Sequence, residues 1–122
     1  MNVNATPMVE HHAPLQGVEI AENKESIKFI FTDGTIFTYS TYGDCCSATW
    51  IEHVTIPPDI AGTKITGIKD DYPVESWSEG WEEIQKYQTA FQTPRGEIIV
   101  EYRNSSNGYY GGWLEGPARS NP

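Results

Sequence analysis

A chain of 122 residues carrying 17 acidic and 8 basic side chains, for a formal net charge of −9, fits one domain whose core has no obligatory need of a disulfide or metal. Its charge repels phosphate backbones, and its Lys and Arg residues, scattered from Lys24 to Arg119 with no two adjacent, form no basic patch, so direct DNA or RNA binding is not expected. No stretch approaches the roughly 18 apolar residues of a membrane span, and Met1-Asn2-Val3-Asn4 lacks the character of a secretory signal; the expected address is the cytoplasm, away from any membrane.

In chain order, residues 1–14 mix Asn, Thr, Pro and the His11-His12 pair without apolar periodicity and read as a flexible arm. A metal site using His11 and His12 would need further ligands from the folded body, and no metal or other cofactor is expected. Residues 15–115 read as a single domain, and residues 116–122, rich in Gly, Pro, Ser and Asn, as a flexible tail.

The clearest local signal is Ser26-Ile27-Lys28-Phe29-Ile30-Phe31-Thr32, then Asp33-Gly34, then Thr35-Ile36-Phe37-Thr38-Tyr39, a hairpin with a two-residue type I′ turn. Thr32 opposite Thr35 would place Ile27, Phe29, Phe31 and Ile36 on one face and Ile30, Phe37 and Tyr39 on the other, so that both faces of the sheet would be covered. From Asp44 onward Cys46, Trp50, Ile51 and Val54 recur at helical spacing, with Asp44 or Ser47 as the cap and Pro57-Pro58 as the stop, which predicts a short helix. Lys64 to Lys69 reads as a strand. Val74, Trp77, Trp81 and Ile84 again fit a helical face, with Gly80 speaking against it. A second hairpin pairs Tyr87 to Thr93 with Glu97 to Arg103 through Pro94-Arg95-Gly96, and a last strand from Tyr109 to Glu115 returns through Asn107-Gly108. The predicted fold class is α+β: a mostly antiparallel sheet of five to six strands built from hairpins, with one or two short helices packed on it.

Gly43-Asp44-Cys45-Cys46-Ser47 with Trp50, followed by Ser105-Ser106-Asn107-Gly108-Tyr109-Tyr110-Gly111-Gly112, resembles a family of small uncharacterised proteins of bacteria and their phages, over residues 26–115. The resemblance implies a fold unit and a bacterial or phage setting, and it brings no established activity. Residues 72–81 look like an insertion within that pattern.

Adjacent Cys45 and Cys46 are a poor layout for a stabilising disulfide, and a thiol at a helix start would have its thiolate favoured. On a helix, however, Cys45 and Cys46 would stand roughly 12 and 10.5 Å of axial rise from His53, too far for a thiol–imidazole dyad or a shared metal. Core packing for Cys46 and capping for Asp44 are the plainer roles, with Asp44, Cys45, Cys46, Thr49 and His53 as an alternative polar site. Gly111-Gly112, between Tyr109-Tyr110 and Trp113, is costly inside a strand and marks either a ligand or partner contact or room for a bulky neighbour such as Trp50. Trp77 and Trp81 beside Glu79 and Glu82 are either core anchors or a partner-binding surface.

No Walker loop, dinucleotide fingerprint, zinc quartet or nucleophile elbow is present. The leading expectation is a non-enzymatic interaction protein of phage or mobile-element type, with a protein as partner, acting as an acidic inhibitor of a host protein. A small-ligand, metal or thiol-chemistry domain centred on Asp44-Cys45-Cys46 is the alternative, and an architectural oligomer subunit the third reading.

Overall fold

The computed structural model describes residues 3–107 and 111–122, with the side chains of residues 71–74 outside the description. One short helix, α1 (Thr6–Val9), precedes eight strands: β1 (Leu15–Ile20), β2 (Ser26–Phe31), β3 (Ile36–Gly43), β4 (Ala48–Thr55), β5 (Gly67–Glu79), β6 (Glu82–Thr93), β7 (Gly96–Ser106) and β8 (Gly112–Ser120). They form two four-stranded sheets, ordered β1-β2-β3-β8 and β4-β7-β6-β5, with every strand pair antiparallel. Their inward faces share one core. The expected α+β class is therefore corrected to a β-sandwich, and neither predicted helix exists.

The β2–β3 hairpin pairs one residue out of the expected register. Asp33-Gly34 does make a turn, but Gly34 N–H donates to Phe31 O at 2.9 Å and Phe31 N–H to Thr35 O at 2.9 Å, so the loop holds three residues, Thr32 to Gly34. Gly34 takes φ +89°, and the Asp33 carboxylate accepts the Thr35 N–H at 3.0 Å. An Asp side chain that satisfies the backbone two residues on favours this wider turn over the expected I′ form. Phe29 then faces Phe37, and Ile27 faces Tyr39. The shift of one residue moves Phe37 and Tyr39 onto the face of Ile27, Phe29 and Phe31. All five are buried, whereas Ile30 and Ile36 are half-buried on the other face.

The helix expected after Asp44 is strand β4. Its apparent helical spacing comes from a bulge between Ile51 and His53, where Ile51 pairs with Tyr102, His53 with Glu101 and Val54 with Val100. One extra residue in a strand turns an inward spacing of two into three, which imitates a helical period. The helix expected across Val74 to Ile84 is the β5–β6 hairpin, and the Val74 side chain lies outside the described residues. Glu79 pairs with Glu82 around Gly80-Trp81, and Gly80 at φ +62° suits a two-residue turn that needs glycine first.

The second hairpin forms, but its loop is Pro94-Arg95 alone rather than the expected Pro94-Arg95-Gly96, since Gly96 already pairs with Thr93, and its ladder runs longer, to Glu83↔Ser106. Strand β8 does not fold back onto β7 but crosses to the other sheet and pairs with β3. Strand β5 begins only at Gly67, although Ile65 before it is buried.

Residues 3–14, expected to be loose, pack against the sandwich: Val3, Ala5, Met8, His11 and Ala13 are buried, and the buried Tyr39 hydroxyl donates to Asn4 O at 2.7 Å. At the other end β8 runs alongside β3 to Ser120. Among the described residues no helix is long and apolar enough to cross a membrane.

The observed register has a direct consequence. Phe37→Ala should cost about 3–5 kcal/mol of stability, the loss for a buried aromatic, while Ile36→Ala next to it costs about 1 kcal/mol. Urea unfolding of the two variants measures both, and a larger loss at Ile36 would restore the two-faced hairpin.

Candidate functional site

The two sequence motifs meet. Gly43, the last residue of β3, pairs with Gly112, the first of β8, and beyond that pair the Asp44 N–H donates to Gly111 O at 3.0 Å while the Gly111 N–H donates to the Asp44 carboxylate at 3.1 Å. Gly112 N–H donates to the Tyr87 hydroxyl at 3.3 Å. From the facing sheet, Asn104 on β7 donates its Nδ2 to Thr49 Oγ1 on β4 at 2.9 Å. These two side chains fill the space that larger residues would need at the glycines. A Cβ on Gly112 would stand 2.4 Å from Thr49 Oγ1 and 3.0 Å from Asn104 Nδ2, and one on Gly43 would stand 2.6 Å from Thr49 Oγ1. The glycines thus make room for Thr49 and Asn104, not for Trp50. The junction is a corner of the sandwich, packed with its own side chains.

The thiols lie outside that corner. Cys45 and Cys46 are exposed rather than in the core, in a turn where Cys46 takes φ +70° and Ser47 Oγ donates to Asp44 O at 2.7 Å. Their sulfurs are 3.2 Å apart, and that contact, with some burial, pushes the Cys46 thiol up. A raised thiol is a weaker nucleophile at neutral pH. His53 sits in β4 opposite Glu101, on the outer face, while Thr49 opposite Asn104 looks inward, so the polar site expected on one helical face is split between the two faces of a strand. Tyr109 and Tyr110 lie outside the described residues.

The acidic Trp segment divides. Trp77, opposite Ile84 on the outer face of its sheet, is half-buried with the Arg103 guanidinium 5.2 Å above its ring. Arg103 in turn donates Nε and Nη2 to one Glu101 oxygen at 3.1 and 3.0 Å and lies 3.5 Å from Glu52, while Lys86 is 3.5 Å from Glu101. Trp50 donates its indole N–H to Glu52 at 3.3 Å. Trp77 is therefore an anchor within a closed network whose cations are already paired. Trp81 is its opposite: at the tip of the β5–β6 hairpin it is 98 % exposed. Glu79 and Glu82 face each other directly beneath it. Glu82 accepts the Ser105 hydroxyl at 2.7 Å, and Glu83 that of Ser78 at 2.7 Å.

Among the described residues, one group of His, Cys, Asp and Glu brings its ligand atoms close together: His11, His12 and Asp33, within 4.8 Å of one another. The Thr35 backbone N–H, and then the His11 imidazole beside it, hold the Asp33 carboxyl at about 2 against an ordinary 3.8. The sequence marked His11 and His12 but offered no sign of Asp33, which the turn brings to them. Asn104, Tyr87 and Arg103 were also missed, because each acts through a partner far along the chain.

Two outcomes follow from this geometry. Gly112→Ala should destabilise by about 1–3 kcal/mol through overpacking, whereas Gly17→Ala, with nothing within 4 Å of the added Cβ, should be neutral or stabilise by about 0.4–1 kcal/mol; thermal unfolding compares them, and equal effects would refute the packed corner. The depressed Asp33 carboxyl contributes stability that is present above its unfolded value of 3.8 and lost as pH falls towards about 2. Asp33→Asn should flatten the acid limb of the stability profile in that window, and an unchanged limb would dismiss the effect.

No curated protein and no solved structure matches the chain. A family model described as a domain of unknown function, DUF7448, matches residues 7–114, from the helix that opens the fold to the strand that closes the glycine corner, and the chain belongs to that family.

Proposed function

We propose that this domain is a non-enzymatic interaction protein that docks onto a basic-rimmed apolar pocket of a partner protein through the β5–β6 hairpin tip. The observation that carries this reading is Trp81, 98 % exposed above a cross-strand pair of carboxylates, Glu79 and Glu82. Like charges directly opposite one another on a sheet are unfavourable in the isolated protein, and a fully exposed indole contributes nothing to its core. Both features become favourable against a partner that buries the ring and supplies cations, since tryptophan is the side chain most often found at the centre of binding energy. The net charge of −9 favours encounter with such a surface. The bacterial or phage setting implied by the sequence resemblance makes a host protein in the bacterial cytoplasm the proposed partner, with the domain acting on it as an acidic inhibitor of phage or mobile-element type.

Affinity capture from a bacterial lysate with the intact chain, followed by titration of the recovered partner, tests the reading. Trp81→Ala should weaken binding about 30-fold, roughly 2 kcal/mol, and Glu79→Gln should weaken it about threefold while reducing its salt dependence. Trp81→Ala should not move the unfolding midpoint, because the ring is not packed, and Glu79→Gln should raise it slightly by relieving the repulsion from Glu82. A partner held equally well by Trp81→Ala, or no partner at all, would overturn the proposal.

A further inference from the structure

We infer that His11, His12 and Asp33 form a binding site for one divalent transition-metal ion of zinc type, which clamps the N-terminal segment to the β2–β3 turn. The ligand set is two imidazole nitrogens and one carboxylate oxygen, the donor chemistry that suits zinc and its neighbours rather than magnesium or calcium.

Two of the three ligands are held by the fold. The His11 ring is buried edge-on between Phe31 at 5.0 Å and Phe37 at 5.6 Å, and it hangs from the end of α1, where its N–H donates to Met8 O at 3.3 Å. Asp33 is fixed from its other oxygen: Oδ1 accepts the Thr35 N–H at 3.0 Å, which turns Oδ2 towards the histidines. His11 Nε2 lies 3.0 Å and His12 Nε2 3.6 Å from that Oδ2. A tetrahedral zinc with bonds near 2.05 Å separates its ligand atoms by about 3.3 Å; the two imidazole-to-carboxylate distances bracket this, and the remaining separation, up to 4.8 Å, closes by a movement of the His12 ring. His12, with 83 % of its side chain exposed, is free to adjust.

A second observation points to a cation. His11 Nε2 is buried yet makes no hydrogen bond of ordinary geometry, despite standing 3.0 Å from a carboxylate oxygen. An imidazole nitrogen and a carboxylate oxygen at that separation are held together by a proton or a metal ion between them, and a metal takes the place of that proton on the Nε2 lone pair. The site opens on a cleft of about 440 Å³ lined in part by Asn4, Glu10, His11, His12 and Arg119, which gives the ion an entry path and leaves its fourth position to water. The nearby charges are mixed: Glu10 and Arg119 line the cleft, and Lys64 Nζ reaches the His11 carbonyl at 3.4 Å. The single carboxylate ligand and Glu10 together offset the two cations.

The intact chain, stripped with chelator, is titrated calorimetrically with zinc chloride and, separately, with magnesium chloride, and its thermal unfolding is followed with and without zinc. One zinc per chain should bind with a dissociation constant below about 100 μM and raise the midpoint, since an ion that binds only the folded chain stabilises it; magnesium should do neither. His12→Ala and Asp33→Asn, which leave the packed His11 ring in place, should each weaken zinc binding at least about tenfold. The exposed thiols are the competing zinc ligands, so the Cys45→Ser, Cys46→Ser double variant should bind as the unaltered chain does. Absence of saturable one-to-one binding, binding that survives His12→Ala and Asp33→Asn, or binding lost with the two thiols would each overturn the assignment.

Discussion

The two sheets are held together by the seating of one ring. Phe91 on β6 packs between Phe29 on β2 and Tyr39 on β3, at centroid separations of 4.6 and 5.1 Å, and Phe29 meets Tyr39 edge-on at 5.7 Å. All three are fully buried, and each contributes about 1.5–3 kcal/mol from burial alone, with more from the aromatic geometry. Each strand must therefore keep its inward alternation in step with this contact. The three-residue Thr32–Gly34 loop is needed because any shorter turn would carry Tyr39 to the far face. Tyr39 in turn reaches past the sheet to Asn4 O, so the aromatic seat also fixes the path of the N-terminal segment towards His11.

The hairpins were legible because their signals are local. Asp-Gly and Pro-Arg-Gly set chain reversals within a few residues, and the strands on either side carry β-branched and aromatic side chains. The α-helical readings failed for a shared physical reason. Periodicity reports which residues face one way only while the chain runs without interruption. In β4 the bulge between Ile51 and His53 stretched the strand period, and in β5–β6 the turn at Gly80-Trp81 folded residues seven apart, Trp77 and Ile84, into direct opposition. A hairpin and a helix can both bring positions i and i+7 to one face. Gly80, which weakened the helix, was the residue that distinguished them, and its turn chemistry carried more information than the apolar spacing around it.

The site was legible in part, and only through its glycines. A pair of glycines in a strand announces a close neighbour, but the neighbours, Thr49 and Asn104, come from the opposite sheet and have no local signature. The Asp44 carboxylate, expected to cap a helix, instead caps the Gly111 N–H: an acceptor suited to backbone donors finds its donor 67 residues along the chain. The same holds for His11 and Asp33, which are unremarkable apart and become a pair only through the β2–β3 turn. Contacts closed by sheet crossings cannot be recovered from spacing.

The charge of the domain sharpens what its hairpin tip can meet. Five basic side chains are already engaged within the fold: Lys86 and Arg103 with Glu101, Arg103 also with Glu52, Arg95 with the carbonyls of Asp59 and Ala61, Lys64 with His11 O, and Arg119 with Asn121 and the Phe37 ring. The acidic excess is thus left to the surface, and Glu79 and Glu82 stand beside Trp81 without a cation of their own among the described ion pairs. Inserting the indole into a flat apolar surface would bring these carboxylates to the contact rim and strip part of their hydration without return, at a cost that rises steeply for an unpaired charge. A pocket bordered by lysine or arginine removes that cost and also relieves the repulsion between the two carboxylates. The ring therefore selects for an apolar pocket and its flanking charges select for a basic rim, so that neither feature alone defines the surface it fits.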